Sequence, residues 1–311
     1  MRTPHERLIN DVQRPEAYDE VVLDGSAAPI VLSVWRGDPG APAVLFLPGT
    51  MTHPLFYEEF LDGLNRRGLT VVGLHAAGHG KSPRTRHPLT FATVVGNALD
   101  ALAWVRSTFP DAPPVLLGTS QGGVLAIAVA ARTDLAAGVV AHNVLDASLP
   151  ETLATTRLPR ALAPAYSALR AALRGVAQVA PRLPVPFGMY LEMARVTRDA
   201  ATAEQFWTDP LGRRSYPLRF LAEMLEEDVT QPVTCPVVVV ATSGDPLFPL
   251  AYTRAVFARI EAPSKQLVVV ASPEHLLFVH DPEASVELLV PRVRSFAERW
   301  QAEHTVDAQR A

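Results

Sequence analysis

Ser120, Asp245 and His275 are the residues whose types, order and surroundings point to chemistry, because each follows an apolar run. A serine hydroxyl is a poor nucleophile near neutral pH, so a neutral imidazole must take its proton. A carboxylate must then hold the imidazole in one tautomer and stabilise its cation. Such a set performs acyl transfer. Ser120 lies within Gly118-Thr119-Ser120-Gln121-Gly122, between the apolar run Val115 to Leu117 and the Ala-rich stretch Val124 to Ala131. This is G-x-S-x-G between a strand and a helix. A chain reversing there strains the central residue, and a side chain at either glycine would meet neighbouring backbone. The helix N-terminus below points unpaired N–H groups at any oxyanion, with the Gln121 N–H as one donor. Each assignment has a rival: a glycine turn with a capping serine, Asp146 in place of Asp245, and His280 in place of His275.

The elements needed to position these groups are legible. Val21 to Leu23 and Ile30 to Trp35 flank a turn at Asp24-Gly25-Ser26 and predict a hairpin. Ala43 to Leu47, Leu69 to Leu74, Val115 to Leu117, Ala137 to Ala141, Val237 to Val240 and Leu267 to Val270 read as strands. Helical spacing separates them, notably Phe91, Val94, Val95, Ala98, Leu102 and Val105 within Thr90 to Phe109. The alternation predicts an α/β fold, a mainly parallel sheet with helices on both faces. Residues 149 to 228 break the rhythm without a strand-like run and predict an inserted helical cap, with helices over Ala161 to Val179 and Leu218 to Glu227. The core then comprises residues 1 to 148 and 229 to 311. An insertion after a strand's C-terminal end lies over the sheet edge where ligands bind, so a lid is expected. Its Phe187, Met189, Phe206 and Trp207 could line an apolar pocket; Met51, His53, His142 and Phe248 are further candidates for substrate contact.

A chain of 311 residues, 48% hydrophobic and 19% charged, can bury a large core, and a formal charge of −4 gives no reason to expect nucleic acid as a partner. Met1 to Glu20 carries acidic residues and no apolar core, which predicts neither secretory signal nor membrane anchor and makes a cytoplasmic enzyme the default. Cys235 is the only cysteine, so no intrachain disulfide or multi-cysteine metal site can form, and it reads as a buried thiol beside a strand. His75, His79 and His87 lack metal-ligand spacing, so no metal is expected.

With these motifs in order, residues 18 to 303 resemble the α/β-hydrolase family. The match includes the Ser120 elbow, the Gly-x-Asp turn at Asp245, His275 beyond the last strand, the Pro48-Gly49 loop and the Gly78-His79-Gly80-Lys81-Ser82 loop. The resemblance implies nucleophile, acid and base for the three, and a second oxyanion donor at the N–H of Thr50, with Met51 next. Many relatives have His-Gly where this chain has Pro48-Gly49, but a backbone donor does not depend on that side chain. Serine at the elbow excludes the aspartate-ester chemistry of the family's dehalogenases and epoxide hydrolases. The insertion, with its Trp207-Thr208-Asp209-Pro210 turn, is similar to the lipase-like and lysophospholipase-like branch. The resemblance therefore implies a serine esterase acting on a small or medium apolar ester through an acyl-enzyme, without a cofactor. Thioesterase, lactonase, carbon-carbon bond hydrolase, iminopeptidase and perhydrolase activities stay open, as does a ligand-binding protein that has lost catalysis.

Overall fold

The computed structural model describes residues 10–84 and 89–310, with side chains through residue 303, so His87 lies outside the described residues. Its strands are β1 (Tyr18–Leu23), β2 (Ile30–Trp35), β3 (Ala43–Leu47), β4 (Thr70–His75), β5 (Pro114–Thr119), β6 (Gly138–His142), β7 (Pro184–Pro186), β8 (Ser215–Pro217), β9 (Val237–Thr242) and β10 (Lys265–Val270). Eight of them form one sheet in the order β1-β2-β4-β3-β5-β6-β9-β10. Only β2 runs antiparallel to its neighbours; the remaining pairs are parallel. Every residue of β3, β4, β5, β6 and β9 is buried, which is why these strands read as unbroken apolar runs. The edge strands β1 and β10 are partly exposed and carry Asp19, Glu20 and Lys265, charges that discourage further strand pairing.

The helices are α1 (Glu58–Arg66), α2 (Phe91–Thr108), α3 (Gln121–Ala130), α4 (Tyr166–Val179), α5 (Phe187–Tyr190), α6 (Met193–Val196), α7 (Ala200–Thr208), α8 (Leu218–Glu226), α9 (Leu250–Arg259), α10 (Leu277–His280) and α11 (Pro282–Arg310). They cover both faces of the sheet, α1 packing with α11 and α2 with α3. Helix α2 starts where Thr90 accepts the Thr93 N–H at 3.0 Å, and it buries the apolar positions named above. Helix α3 is buried along its whole length, consistent with its Ala, Val and Leu content.

Between β6 and β9 the chain is mostly helical, as its composition predicts, yet it also contains a ribbon that the sequence reading missed. β7 and β8 pair antiparallel with Val185 opposite Tyr216. Pro184 and Pro186 look like breakers, but a three-residue edge strand tolerates proline because the ring's φ is extended and its missing N–H can face outward. The expected helix from Ala161 also begins later, at Tyr166, after a 3-10 turn that contains Pro164. The insertion is tied to loops at the C-terminal ends of the strands. Arg195 donates to the Pro246 carbonyl from Nε at 2.9 Å and from Nη2 at 2.8 Å; Arg213 Nη1 donates to the Gly78 carbonyl at 2.6 Å.

Candidate active site

Strand β5 runs straight into α3, and Ser120 stands between them at φ 54° and ψ −115°. A left-handed conformation in a non-glycine residue costs about 1–3 kcal/mol and persists only where its surroundings fix it. Here both flanking glycines are required: a methyl group at Gly118 would lie 1.9 Å from the Gly122 carbonyl oxygen, and one at Gly122 would lie 1.9 Å from that of Leu47. The elbow is thus wedged against the end of β3, and the Ser120 N–H is anchored to the His142 carbonyl at 2.7 Å.

Asp245 follows β9 and His275 follows β10, and the structure brings them together: His275 Nδ1 lies 2.9 Å from Asp245 Oδ2, with both side chains buried. A carboxylate can only accept, so Nδ1 carries a proton, and in the neutral ring Nε2 then presents a lone pair. Asp245 Oδ1 accepts the N–H groups of Leu247 and Phe248 at 2.7 and 2.8 Å, and Oδ2 also accepts the Asn143 amide at 2.9 Å. Burial works to raise the Asp245 pKa, but His275, the Phe248 N–H and the nearby His142 together hold it below the ordinary carboxylate value. Among the described residues no hydrogen bond joins the Ser120 hydroxyl to His275; catalytic contacts commonly tighten only with substrate bound. What links the elbow to the pair is the end of β6. His142 holds the Ser120 N–H, and Asn143 next to it holds Asp245.

Sequence reasoning missed Asn143. It is fully buried, sits at φ 62°, and also lies 3.4 Å from His275 Nδ1. Its place just beyond a strand, like those of Asp245 and His275, was the available signal. The rival residues are engaged elsewhere. Asp146 pairs with Arg259 at 2.8 Å and accepts the Ser148 hydroxyl at 2.6 Å, while His280 Nε2 lies 3.0 Å from the Thr197 hydroxyl. Burial pushes the Cys235 thiol up to about 11, which keeps it protonated.

Residues 49–52 form a tight turn closed by the Thr52 N–H on the Gly49 carbonyl at 3.2 Å. The turn abuts the elbow: a methyl at Gly49 would lie 3.6 Å from Ser120 Cβ. Among the described residues no protein acceptor takes the N–H of Thr50 or of Gln121. Met51 is different. Its N–H is held by the Tyr216 hydroxyl at 3.0 Å and its carbonyl by the Arg213 N–H at 2.9 Å.

The other candidates for substrate contact are distributed unevenly. His53 is fully buried, with Nε2 2.7 Å from Asp209 Oδ2 and its ring stacked on His75. His142 is fully buried against Phe278, and burial together with the charge of His275 pushes its pKa down to about 3. Phe187 and Phe206 pack on each other inside the insertion, and Phe206 meets Phe56 edge-on with centroids 4.8 Å apart. Trp207 and Met189 are 42% and 68% exposed. Phe248 covers one face of His275. Among the described residues no group of three or more His, Cys, Asp or Glu side chains could hold a metal ion, and no helix is long and apolar enough to cross a membrane.

A parallel sheet with one reversed strand, a strained serine elbow and an Asp–His pair beyond its last strands define an α/β-fold serine hydrolase. The sequence model of the family described as serine aminopeptidase, S33 matches residues 39–283, and the chain belongs to that family. It is similar to a monoacylglycerol lipase of Mycolicibacterium smegmatis, at 25% identity over 272 residues, covering 83% of this chain and 90% of that protein. Its fold is that of a soluble variant of monoglyceride lipase from Saccharomyces cerevisiae, with a TM-score of 0.71 at 13% identity over 94% of this chain and 99% of that one. The monoacylglycerol lipase of Paleococcus ferrophilus superposes with a TM-score of 0.65 at 21% identity, over 84% of this chain and 98% of that one.

Proposed function

We propose that this serine ester hydrolase cleaves the carboxylic ester of a single apolar acyl chain on a small alcohol, a monoacylglycerol or a compound like it, through an acyl-enzyme. Ser120 Oγ attacks the ester carbonyl while His275 Nε2 takes its proton, and Asp245 holds the resulting imidazolium. The N–H groups of Gln121 and Thr50 receive the oxyanion. Collapse expels the alcohol, which takes the proton back from His275. Water then attacks the acyl-enzyme by the same route, so one ester and one water give one acid and one alcohol. Residues 149–228 act as the cap, and Phe187 and Phe206 with the partly exposed Trp207 supply the wall for the acyl chain. The cytoplasm is its proposed location, since a chain with one cysteine needs no oxidising compartment.

The observation that carries this reading is the Ser120 elbow joined through β6 to the buried Asp245–His275 pair. The monoacylglycerol lipases among its relatives support the substrate class. The family's aminopeptidase description favours a second reading, release of an N-terminal amino acid by the same acyl transfer.

The test compares p-nitrophenyl esters from acetate to laurate, monoacylglycerols and aminoacyl naphthylamides, using the native chain and Ser120→Ala, with a fluorophosphonate label. Labelling lost in the variant, with turnover of esters far above amides, is the expected result. A naphthylamide favoured by orders of magnitude in kcat/KM would replace the ester reading with the peptidase one.

A further inference from the structure

We propose that the phenol hydroxyl of Tyr216 is a positioning group for the turn that carries the Thr50 N–H, fixing the orientation of the Thr50–Met51 peptide. The inference rests on the serine-hydrolase reading above and adds to it a residue 165 positions from Met51, on the ribbon of the insertion.

The turn needs such a group. The Thr52 N–H closes it on Gly49, and its third residue, Met51, sits at φ 65°. This is the type II arrangement, whose third position ordinarily goes to glycine; the type I alternative flips the central peptide and suits a residue with a side chain better. Methionine therefore biases the turn toward the flip, and something outside it must oppose the flip. Arg213 and Tyr216 hold the two polar groups of Met51, its carbonyl and its N–H.

The direction of each hydrogen bond at Tyr216 follows by elimination. His79 Nδ1 lies 3.1 Å from the Ala77 carbonyl, which can only accept, so Nδ1 carries the ring's proton. Burial first, and then the charge of Arg213, push His79 down to about 3, which keeps the ring neutral. His79 Nε2 is thus a lone pair, and it lies 2.8 Å from the Tyr216 hydroxyl. That hydroxyl donates to Nε2 and has only lone pairs left, and one of them accepts the Met51 N–H. A flipped peptide would turn the Thr50 carbonyl oxygen toward the same lone pairs. The phenol cannot turn away, because its ring is fully buried and stacked on Phe220, with centroids 4.2 Å apart and planes 7° apart. Since a methyl at Gly49 would already meet Ser120 Cβ at 3.6 Å, the turn lies close enough to the elbow for a shift of it to be felt beside Ser120.

The experiment uses the full chain and measures kcat and KM on p-nitrophenyl butyrate, the inhibition constant of a trifluoromethyl ketone, and melting temperature. The Thr50 N–H lies in the neighbouring Gly49–Thr50 peptide, so loosening the turn displaces this donor without removing it; since removing one oxyanion donor outright costs about 10²–10³ in kcat, Tyr216→Phe should lower kcat by about tenfold, with KM within about twofold. Affinity for the ketone, which mimics the tetrahedral adduct, should fall in proportion. Phe91→Leu disturbs the packing behind Phe220 but keeps the Tyr216 hydroxyl and the ring stacked on it, and should lower the melting temperature while leaving kcat near its native value. Equal losses of kcat in the two variants, or an unchanged kcat and ketone affinity in Tyr216→Phe, would overturn the proposal. A second measurement needs no variant that must fold: ¹⁵N-histidine spectra of the native chain should show His79 protonated at Nδ1, and protonation at Nε2 overturns the relay. A native chain that no fluorophosphonate labels sinks the serine-hydrolase reading instead, whatever the tautomer.

Discussion

Phe248 lies face to face with His275, their ring centroids 5.5 Å apart and their planes 12° apart. The aromatic ring covers one face of the imidazole, so that on the proposed mechanism the proton moves only at the ring edge. Phe248 is itself fixed from behind, because its backbone N–H is one of the donors to Asp245. Phe248→Leu keeps that N–H and loses the flat cover. We expect kcat/KM for short esters to fall by about tenfold to a hundredfold, since small misplacements of a reacting group cost on this order. Steady-state kinetics beside a melting curve check it.

Asn143→Gly separates the two roles of Asn143. Glycine adopts φ 62° freely, so the backbone is kept while the amide donor to Asp245 is lost. An Asp245 carboxylate with one donor fewer attracts the His275 proton more strongly. The acidic limb of the kcat/KM profile should therefore move to higher pH, with kcat lower by about tenfold, within the range attributed to proton-transfer groups. A profile superimposable on the native one would show that the amide has no catalytic part.

Gly122→Ala should disrupt folding rather than chemistry. Its added methyl would sit 1.9 Å from the Leu47 carbonyl oxygen, which belongs to a central strand and cannot yield. Overpacking of this kind costs about 1–3 kcal/mol or more. The expected outcome is a lower denaturation midpoint together with loss of fluorophosphonate labelling, read in urea titrations of the purified variant.

Stability should fall with acidification well above the carboxylate range. His142 and His79 are held near 3, and His75 well below its ordinary value, chiefly by burial. Below the ordinary imidazole pKa the unfolded chain takes up protons that the folded one refuses, so stability present above about pH 6.5 is lost progressively as pH falls toward the folded values. Asp245, with its lowered pKa, adds a further loss only at lower pH, as the medium reaches its folded value. Urea midpoints measured from neutral pH down to pH 5 should decline, and His142→Gln should make the decline shallower. A flat profile would contradict the buried neutral rings.

Much of the sheet was readable because its central strands are buried on both faces and therefore spell unbroken apolar runs. Ser120, Asp245 and His275 stood out because each lies a few residues past such a run, where open parallel sheets gather functional groups. Contacts between distant segments left no comparable trace. His53 was a candidate for substrate contact with a structural role as its rival, and the sequence could not name its partner, because Asp209 is 156 residues away and no spacing connects them. Tyr216 was hidden twice, in a ribbon whose prolines read as breakers and opposite a turn whose glycine-favoured position is filled by methionine.

Arg195 and Arg213 reach from the insertion to backbone carbonyls beside Asp245 and in the Gly78 loop, so the part of the chain that would choose the substrate also supports the part that would react with it. A chimera carrying a relative's insertion would therefore remove supports of the reactive centre along with the walls of the pocket.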